Sequence, residues 1–233
     1  MTQELFVGPR DPRWLSRGAV VLPGYAIAQE NALLAAIAEV SRRAPFRNMQ
    51  TRRGHTMSVA MTNCGRFGWV SDRRGYRYDQ VDPASGARWP NMPPVFSYIA
   101  AEAAKQAGFG GFQADSCLIN RYEPGTRLSL HQDRDESDFD QPIVSISLGL
   151  PAVFLWGGLE RQQPVIRVAL DHGDVVVWGG PDRLRFHGVQ QIKPGTHALL
   201  GAQRINLTFR KAGPVPFSAK ATSAGERRPV VSG

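Results

Sequence analysis

The chain is 233 residues long, 42% hydrophobic and 21% charged, which suits one large domain with a full core and is ordinary for a soluble globular protein. Its net charge of +8 is spread unevenly: Lys211, Lys220, Arg227 and Arg228 against Glu226 put +3 in residues 211–233, and the remaining +5 in the body permits a polyanionic partner such as nucleic acid. Two cysteines, Cys64 and Cys117, rule out a disulfide framework and have no metal-type spacing; with no signal peptide and no apolar run of membrane-spanning length evident, a cytoplasmic protein without membrane contact is expected.

After an irregular start, Val20-Val21-Leu22 before Pro23-Gly24 reads as a short strand ending in a turn. Residues 28–43 carry Leu33, Leu34, Ile37 and Val40 at helical spacing, and Arg42 and Arg43 in the last turn complement the C-terminal end of the helix dipole. A second helix is predicted from Pro93 or Pro94 to Ala107, with Val95, Phe96, Ile99 and Ala103 as its apolar stripe and Gly108 as its cap. Both stripes are core-packing faces.

Between the helices, residues 46–92 keep no sustained period. Within 51–78, Arg52, Arg53, Arg66, Arg73, Arg74 and Arg77 interleave with Phe67, Trp69, Tyr76 and Tyr78 against a single acid, Asp72. A structureless loop of this length is uncommon, so a lid or a paired set of short strands is expected over about 46–92.

From residue 115 or so to 211 the signal is β. Short runs rich in β-branched and aromatic residues fall at 117–122, 128–133, 143–148, 152–156, 165–170, 175–178, 184–189 and 204–210, separated by Pro and Gly turns. About eight such strands indicate a double-sheet jelly roll, so the fold class is mostly β with N-terminal helices. Residues 1–213 are expected to form a single catalytic domain, and the basic tail 214–233, which lacks apolar periodicity, to be disordered.

Chemistry concentrates at His131-Gln132-Asp133-Arg134-Asp135-Glu136. In an extended segment, alternate side chains share a face, so His131 and Asp133 can supply two ligands of a 2-His-1-carboxylate iron site, and Asp135 falls on the same side. A third ligand must come from elsewhere, and His187 lies 54 residues on, far enough for several strands to cross and return. His172-Gly173-Asp174 is a second His-x-Asp, but its central glycine and the Val-Val-Val-Trp that follows read as a turn feeding a strand, a structural role. In the last run, Arg204, Asn206, Thr208 and Arg210 share one face while Ile205, Leu207 and Phe209 share the other. Two arginines on an inward face call for an anionic occupant such as a small dicarboxylate, and Asn120 and Tyr122 on one face of their own strand could add hydrogen bonds.

Asn120-Arg-Tyr122, His131-Gln-Asp133-Arg-Asp135, His187-Gly and Arg204-x-Asn206-x-Thr208-x-Arg210 resemble the AlkB family of Fe(II)/2-oxoglutarate-dependent dioxygenases. Residues 57–65, 89–93, 147–151 and 172–180 extend the likeness well beyond these positions, from about Val20 to Gly213. The resemblance implies a double-stranded β-helix (jelly roll) with helical support and a nucleotide-recognition lid. It implies Fe(II) held by His131, Asp133 and His187, with 2-oxoglutarate and O2 as cosubstrates. Arg204, helped by Tyr122, would pair with the distal carboxylate of 2-oxoglutarate, and Arg210, Asn120 and Asn206 would complete that site. The implied reaction repairs N-alkylated bases such as N1-methyladenine and N3-methylcytosine in DNA, and RNA where it is accepted, releasing succinate, CO2 and formaldehyde.

Those bases are cationic, so Asp135, a carboxylate beside the metal, should favour them and belongs with the ligands in the catalytic set. Trp69 can stack on an extruded base, as base-modifying enzymes commonly require. Tyr76 and Tyr78, two residues apart, can face one phosphate or sugar, and Arg77 and Arg161 can contact backbone or base edge. The expected partner is single-stranded DNA, with double-stranded DNA and RNA as further candidates, and the expected state is a monomer. A protein or lipid substrate fits the basic aromatic segment poorly, and a non-catalytic binding module fits an intact ligand set poorly. Glu136 has no assigned role.

Overall fold

The computed structural model describes residues 11–213, so the basic tail lies outside the described residues. In chain order it holds β1 (Arg13–Ser16), β2 (Ala19–Leu22), α1 (Glu30–Arg43), β3 (Arg47–Gln50), β4 (Thr56–Gly65), β5 (Gly68–Asp72), β6 (Gly75–Asp79) and α2 (Pro94–Gln106). The β half follows: β7 (Ser116–Tyr122), β8 (Leu128–His131), β9 (Ile143–Gly149), β10 (Ala152–Trp156), β11 (Ile166–Leu170), β12 (Val175–Trp178), β13 (His187–Val189) and β14 (Arg204–Arg210).

These last eight strands divide between two facing sheets, as a jelly roll requires. The larger sheet runs β1-β2-β12-β9-β14-β7-β4-β3 and the smaller β11-β10-β13-β8. Thus β7, β9, β12 and β14 form the centre of one wall and β8, β10, β11 and β13 the whole of the other, with β1–β2 and β3–β4 extending the larger sheet at its two edges. The stretch expected as a lid over 46–92 therefore splits. β3 and the ten-residue β4 belong to the large sheet, β4 pairing antiparallel with β7, and only β5 and β6 form a separate two-stranded hairpin. β4 hides from a periodicity reading because six consecutive residues, Val59–Cys64, are buried on both faces, polar Thr62 and Asn63 among them.

Helix α1 buries Leu33, Ile37 and Val40, and α2 buries Phe96, Ile99, Ala100, Ala103 and Ala104; these meet Ile119, Ile146, Val177, Ile205, Leu207 and Phe209 on the outer face of the large sheet. Each fully buried aliphatic or aromatic side chain contributes about 1.5–3 kcal/mol, so this layer holds the sheet rigid behind the site. Pro94 suits the first turn of α2, where its missing N–H costs nothing. At the other end Gly108 takes φ +90°, and the N–H groups of Gly108 and Phe109 bond back to Lys105 and Ala104. Among the described residues no helix is long and apolar enough to cross a membrane.

Between the two sheets, an apolar cluster built on Ile143, Phe154, Trp156, Val176 and Trp178 fills one end, and a second built on Met61, Leu118, Tyr122, Leu150 and Val189 fills the other. Strand β14 is buried on both faces: its apolar residues meet the helices, while Arg204, Asn206, Thr208 and Arg210 turn inward at 7% exposure or less.

Candidate active site

A cavity of about 610 Å³ opens between the sheets and is lined by His131, Asp133, His187, Arg204, Arg210 and Trp69, among others. The chain supplies three potential metal ligands to it. His131 closes β8 and stands directly across from His187 on β13, the ring centroids 4.4 Å apart. Gly188 makes the approach possible, because a Cβ there would lie 2.7 Å from the Leu128 carbonyl oxygen. Asp133, two residues past the strand end, brings Oδ1 to 3.7 Å from His131 Nε2 and Oδ2 to 3.7 Å from His187 Nε2. One ligand atom from each of the three lies within 4.8 Å of the others, and among the described residues this is the one such group.

Tautomers follow from the neighbours. His131 Nδ1 lies 2.9 Å from the Ser129 carbonyl and His187 Nδ1 3.0 Å from that of Arg185. Carbonyls only accept, so each Nδ1 carries the proton and each Nε2 offers its lone pair inward, the arrangement a metal ligand needs. Burial, with the repulsion of His131, depresses the His187 pKa to about 3 and keeps the ring neutral. Burial alone would raise the Asp133 pKa, but Arg210, His187 and His131 outweigh it and hold the carboxyl ionised, below the usual carboxylate range. Two neutral imidazoles and one carboxylate are the donor set of a non-haem Fe(II) centre with open positions.

Deeper in the cavity the polar groups fit a dicarboxylate. Arg204 is 1% exposed and gives Nη2–H to Ser147 Oγ at 3.0 Å, but its Nε and Nη1 have no partner in the protein. Its guanidinium lies over the Tyr122 ring at 5.9 Å, in register with it across β14 and β7. Burial lowers the Arg204 pKa, yet arginine stays charged, so a buried cation with free donors awaits an anion. Asn120 Oδ1 and Arg210 Nη1 are likewise unmatched. Asn206, expected to touch the cosubstrate, is engaged by the protein: its amide donates to Ser145 Oγ and the Ile146 carbonyl, and its Oδ1 accepts from Thr208. Arg210 is mainly an Asp133 partner, donating Nε–H at 2.8 Å and Nη2–H at 2.6 Å to Asp133 Oδ2.

The hairpin β5–β6 lies at the cavity mouth. Trp69 stacks on Tyr76 with centroids 5.5 Å apart and 18° between planes, and its indole Nε1–H donates to Asp135 Oδ2 at 2.9 Å. These three line the cavity, as expected of base-handling groups. The other three residues expected at the substrate have partners within the protein. Tyr78 does not share a phosphate with Tyr76, because its hydroxyl is directed inward to Glu136 Oε1 at 2.6 Å. Arg77 alternates to the opposite face of the hairpin, bonding Asp72 through two 3.0 Å contacts and approaching Asp79 at 3.6 Å. Those contacts help hold Asp72 at a pKa of about 2, and Arg77 does not line the cavity. Arg161 donates Nη1–H to the Leu130 carbonyl and lies over Phe186, also outside the cavity lining.

Glu136 and Arg183 belong to the site and escape a sequence reading. Glu136 is buried and accepts from Arg183 Nη2 at 3.1 Å, with Arg210 Nε 3.3 Å away. Arg183 also donates to the carbonyls of Asp133 and Gln141, tying the ligand loop to the turn that leads into His187. The available signal is an arginine two residues after Gly179-Gly180-Pro181, a turn with no need of one. The second His-x-Asp is structural, as read: His172 Nδ1 accepts from Gly149 N–H, its Nε2–H donates to Glu30, and Asp174 accepts from the N–H groups of Gly24 and Asp171.

Residues 18–210 match the model of the 2OG-Fe(II) oxygenase superfamily. The chain is 53% identical over 199 residues to the alpha-ketoglutarate-dependent dioxygenase AlkB of Escherichia coli, covering 85% of this chain and 92% of that one. It is 43% identical over 214 residues to the AlkB homologue of Caulobacter vibrioides, covering 88% and 96%. Among solved structures, that of OsALKBH1 superimposes with a TM-score of 0.75 at 30% identity, covering 86% of this chain and all of the other.

Proposed function

This chain belongs to the 2OG-Fe(II) oxygenase superfamily, within its AlkB family, and from that premise we propose that it removes N-alkyl groups oxidatively from nucleic-acid bases. It is a dioxygenase dependent on Fe(II) and 2-oxoglutarate. When bound, iron and cosubstrate supply the oxidation: 2-oxoglutarate leaves as succinate and CO2, one oxygen atom enters an N-methyl C–H bond, and the resulting hydroxymethyl group departs as formaldehyde.

The chain's own residues set where this happens. His131, Asp133 and His187 would hold the metal, the imidazoles with Nε2 turned inward and Asp133 already ionised. Arg204 would take the distal carboxylate of 2-oxoglutarate with the N–H groups that have no partner in the protein, over the Tyr122 ring, and Asn120 lies on the same wall. Trp69 and Tyr76 present π-faces to an extruded base, and Asp135 beside them favours a base that carries positive charge. N1-methyladenine and N3-methylcytosine are such bases; the normal ones are neutral.

The single observation that carries this reading is that Asp135, bonded to the Trp69 indole, lines the same cavity as His131, Asp133 and His187. Asp133 and Asp135 are two residues apart, so a base held at Asp135 would lie beside the ligand set. The substrate strand is DNA, single-stranded most readily because flipping a base from a duplex adds an unpairing cost of a few kcal/mol. Arg127 and Arg134 line the cavity, and Arg52 and Arg53 line an adjoining pocket that shares Thr51 and Tyr76 with it; all four suit the strand's phosphates, and RNA offers the same contacts. Residues 1–213 act as one catalytic domain, as a monomer in the cytoplasm, with β5–β6 as the lid. The test is product analysis: the purified chain, Fe(II) and 2-oxoglutarate with an oligonucleotide carrying N1-methyladenine should release succinate and formaldehyde in equal amounts. Absence of formaldehyde from iron-loaded protein that still consumes 2-oxoglutarate would refute the substrate.

A further inference from the structure

Trp69 and Tyr78 stand directly opposite each other on β5 and β6, and their polar tips reach consecutive carboxylates, Asp135 and Glu136. The two carboxylates have different surroundings. Asp135 is exposed at the cavity mouth, whereas the Glu136 side chain is 1% exposed. A carboxylate so buried must be neutralised where it sits. Arg183 Nη2 serves its Oε2, and its Oε1 is shared by the Tyr78 hydroxyl at 2.6 Å and Arg210 Nε at 3.3 Å. That same Arg210 Nε–H is the one that reaches Asp133 Oδ2 at 2.8 Å. One N–H thus lies between two carboxylates, one belonging to the metal site and the other bonded to the lid.

We propose that Glu136 and Tyr78 are positioning residues that carry the state of the lid to the metal site: with the hairpin seated, Tyr78 satisfies Glu136 Oε1 and leaves Arg210 Nε to Asp133. When the hairpin lifts, Oε1 loses its short neutral donor and draws Arg210 Nε toward itself. Asp133 then keeps only the Nη2 arm of the guanidinium and is held less firmly in the orientation its two histidine neighbours require. The phenol is suited to this, because burial pushes its pKa well above the ordinary tyrosine value and keeps it a donor. By linkage the relation runs both ways, so a metal that fixes Asp133 also favours the seated hairpin.

The inference rests on reading His131, Asp133 and His187 as the metal site, and the experiment separates the two. Mn(II) is titrated calorimetrically into the full chain in the presence of 2-oxoglutarate, without nucleic acid, with thermal unfolding recorded for each variant. Y78F removes one hydroxyl and should weaken Mn(II) binding by about fivefold, the size of effect such networks transmit. E136Q takes away the charge that would draw Arg210 Nε from Asp133, so it should leave Mn(II) binding within about twofold of wild type, and the Y78F/E136Q double variant should be no weaker than E136Q to within about twofold, since both act on one route. S71A removes a different lid anchor, the Ser71 hydroxyl bond to the Gln50 carbonyl, but keeps the Tyr78 hydroxyl on Glu136, so it should weaken Mn(II) binding less than Y78F does. If wild type binds no Mn(II), the metal-site reading fails and the proposal with it. If wild type binds and Y78F matches it, or S71A weakens binding as much as Y78F, the metal site stands and the lid connection is wrong.

Discussion

The indole of Trp69 donates to Asp135 Oδ2 at 2.9 Å, so the residue expected to stack on a base also holds the carboxylate expected to select it. The exchange D135N separates the two jobs, because an amide oxygen still accepts from the indole while the negative charge is gone. Turnover of an N1-methyladenine oligonucleotide is expected to fall about tenfold or more, the worth of a hydrogen bond to a charged group. Oligonucleotide-independent consumption of 2-oxoglutarate should stay within about twofold, since Asp135 is outside the metal triad. Equal loss in both assays would place Asp135 in the metal site rather than at the base.

Arg204 yields an expectation of two opposite signs. Its side chain is nearly inaccessible, with Nε and Nη1 unpartnered, so it strains the ligand-free protein while serving the ligand. Replacing it by methionine, R204M, should raise the melting temperature of the ligand-free chain by several degrees, as removal of uncompensated buried charge does. The same variant should bind 2-oxoglutarate about a hundredfold more weakly, having lost two charge-assisted hydrogen bonds. Calorimetric titration and a thermal melt on one preparation check both signs. A variant less stable than wild type without ligand would show that Arg204 is already satisfied by the protein.

Sequence reading reached unevenly into this molecule, for reasons visible residue by residue. Strands β10, β12 and β14 match their expected limits because β-branched and aromatic runs there stop at turn residues. β4 was submerged in the supposed lid because Thr62 and Asn63 are buried without being apolar: Thr62 donates to the Ala44 carbonyl, and the Asn63 amide closes two bonds with the Trp69 backbone. No periodicity encodes such pairings. His131 and Asp133 announced themselves by spacing, and Arg204 and Arg210 by alternation. Arg77 is legible by the same rule, since alternation sets it on the face opposite Tyr76 and Tyr78, where it meets Asp72. Glu136 and Arg183 are 47 residues apart and neutralise each other only after folding, so no local pattern could have joined them.

Tyr122 gives a pH dependence with a definite sign. Burial pushes its phenol up to about 12, against the pull of Arg204 and Arg210, whereas an unfolded tyrosine ionises near about 10. Folded and unfolded chains hold the same phenolic proton below pH 10. Between about 10 and 12 only the unfolded chain releases it, so this contribution to stability is complete below 10 and is lost as pH rises toward the folded value. Slopes of up to ~1.4 kcal/mol per pH unit follow from one proton. Chemical denaturation of wild type and Y122F at pH 9 and pH 11 should show the smaller loss in Y122F. Parallel losses would mean the phenol ionises alike in both states.

The two His-x-Asp sequences should separate cleanly when each histidine is removed. His172 bridges three parts of the chain, accepting from Gly149 N–H, donating to Glu30 at the start of α1, and stacking on His197 at 4.4 Å. With Nδ1 filled by an N–H and Nε2 directed at a carboxylate, it has no lone pair for a metal. H172A leaves a backbone donor and a partly buried carboxylate unmatched and should cost about 2 kcal/mol of stability. Its Mn(II) stoichiometry should remain one per chain. H131A is expected to do the reverse, because His131 is partly exposed and makes one backbone hydrogen bond: stability of the metal-free chain should hardly change, while Mn(II) binding is lost. Thermal melts with calorimetric titration decide it, and H172A protein that folds but fails to bind Mn(II) would move the metal away from His131, Asp133 and His187.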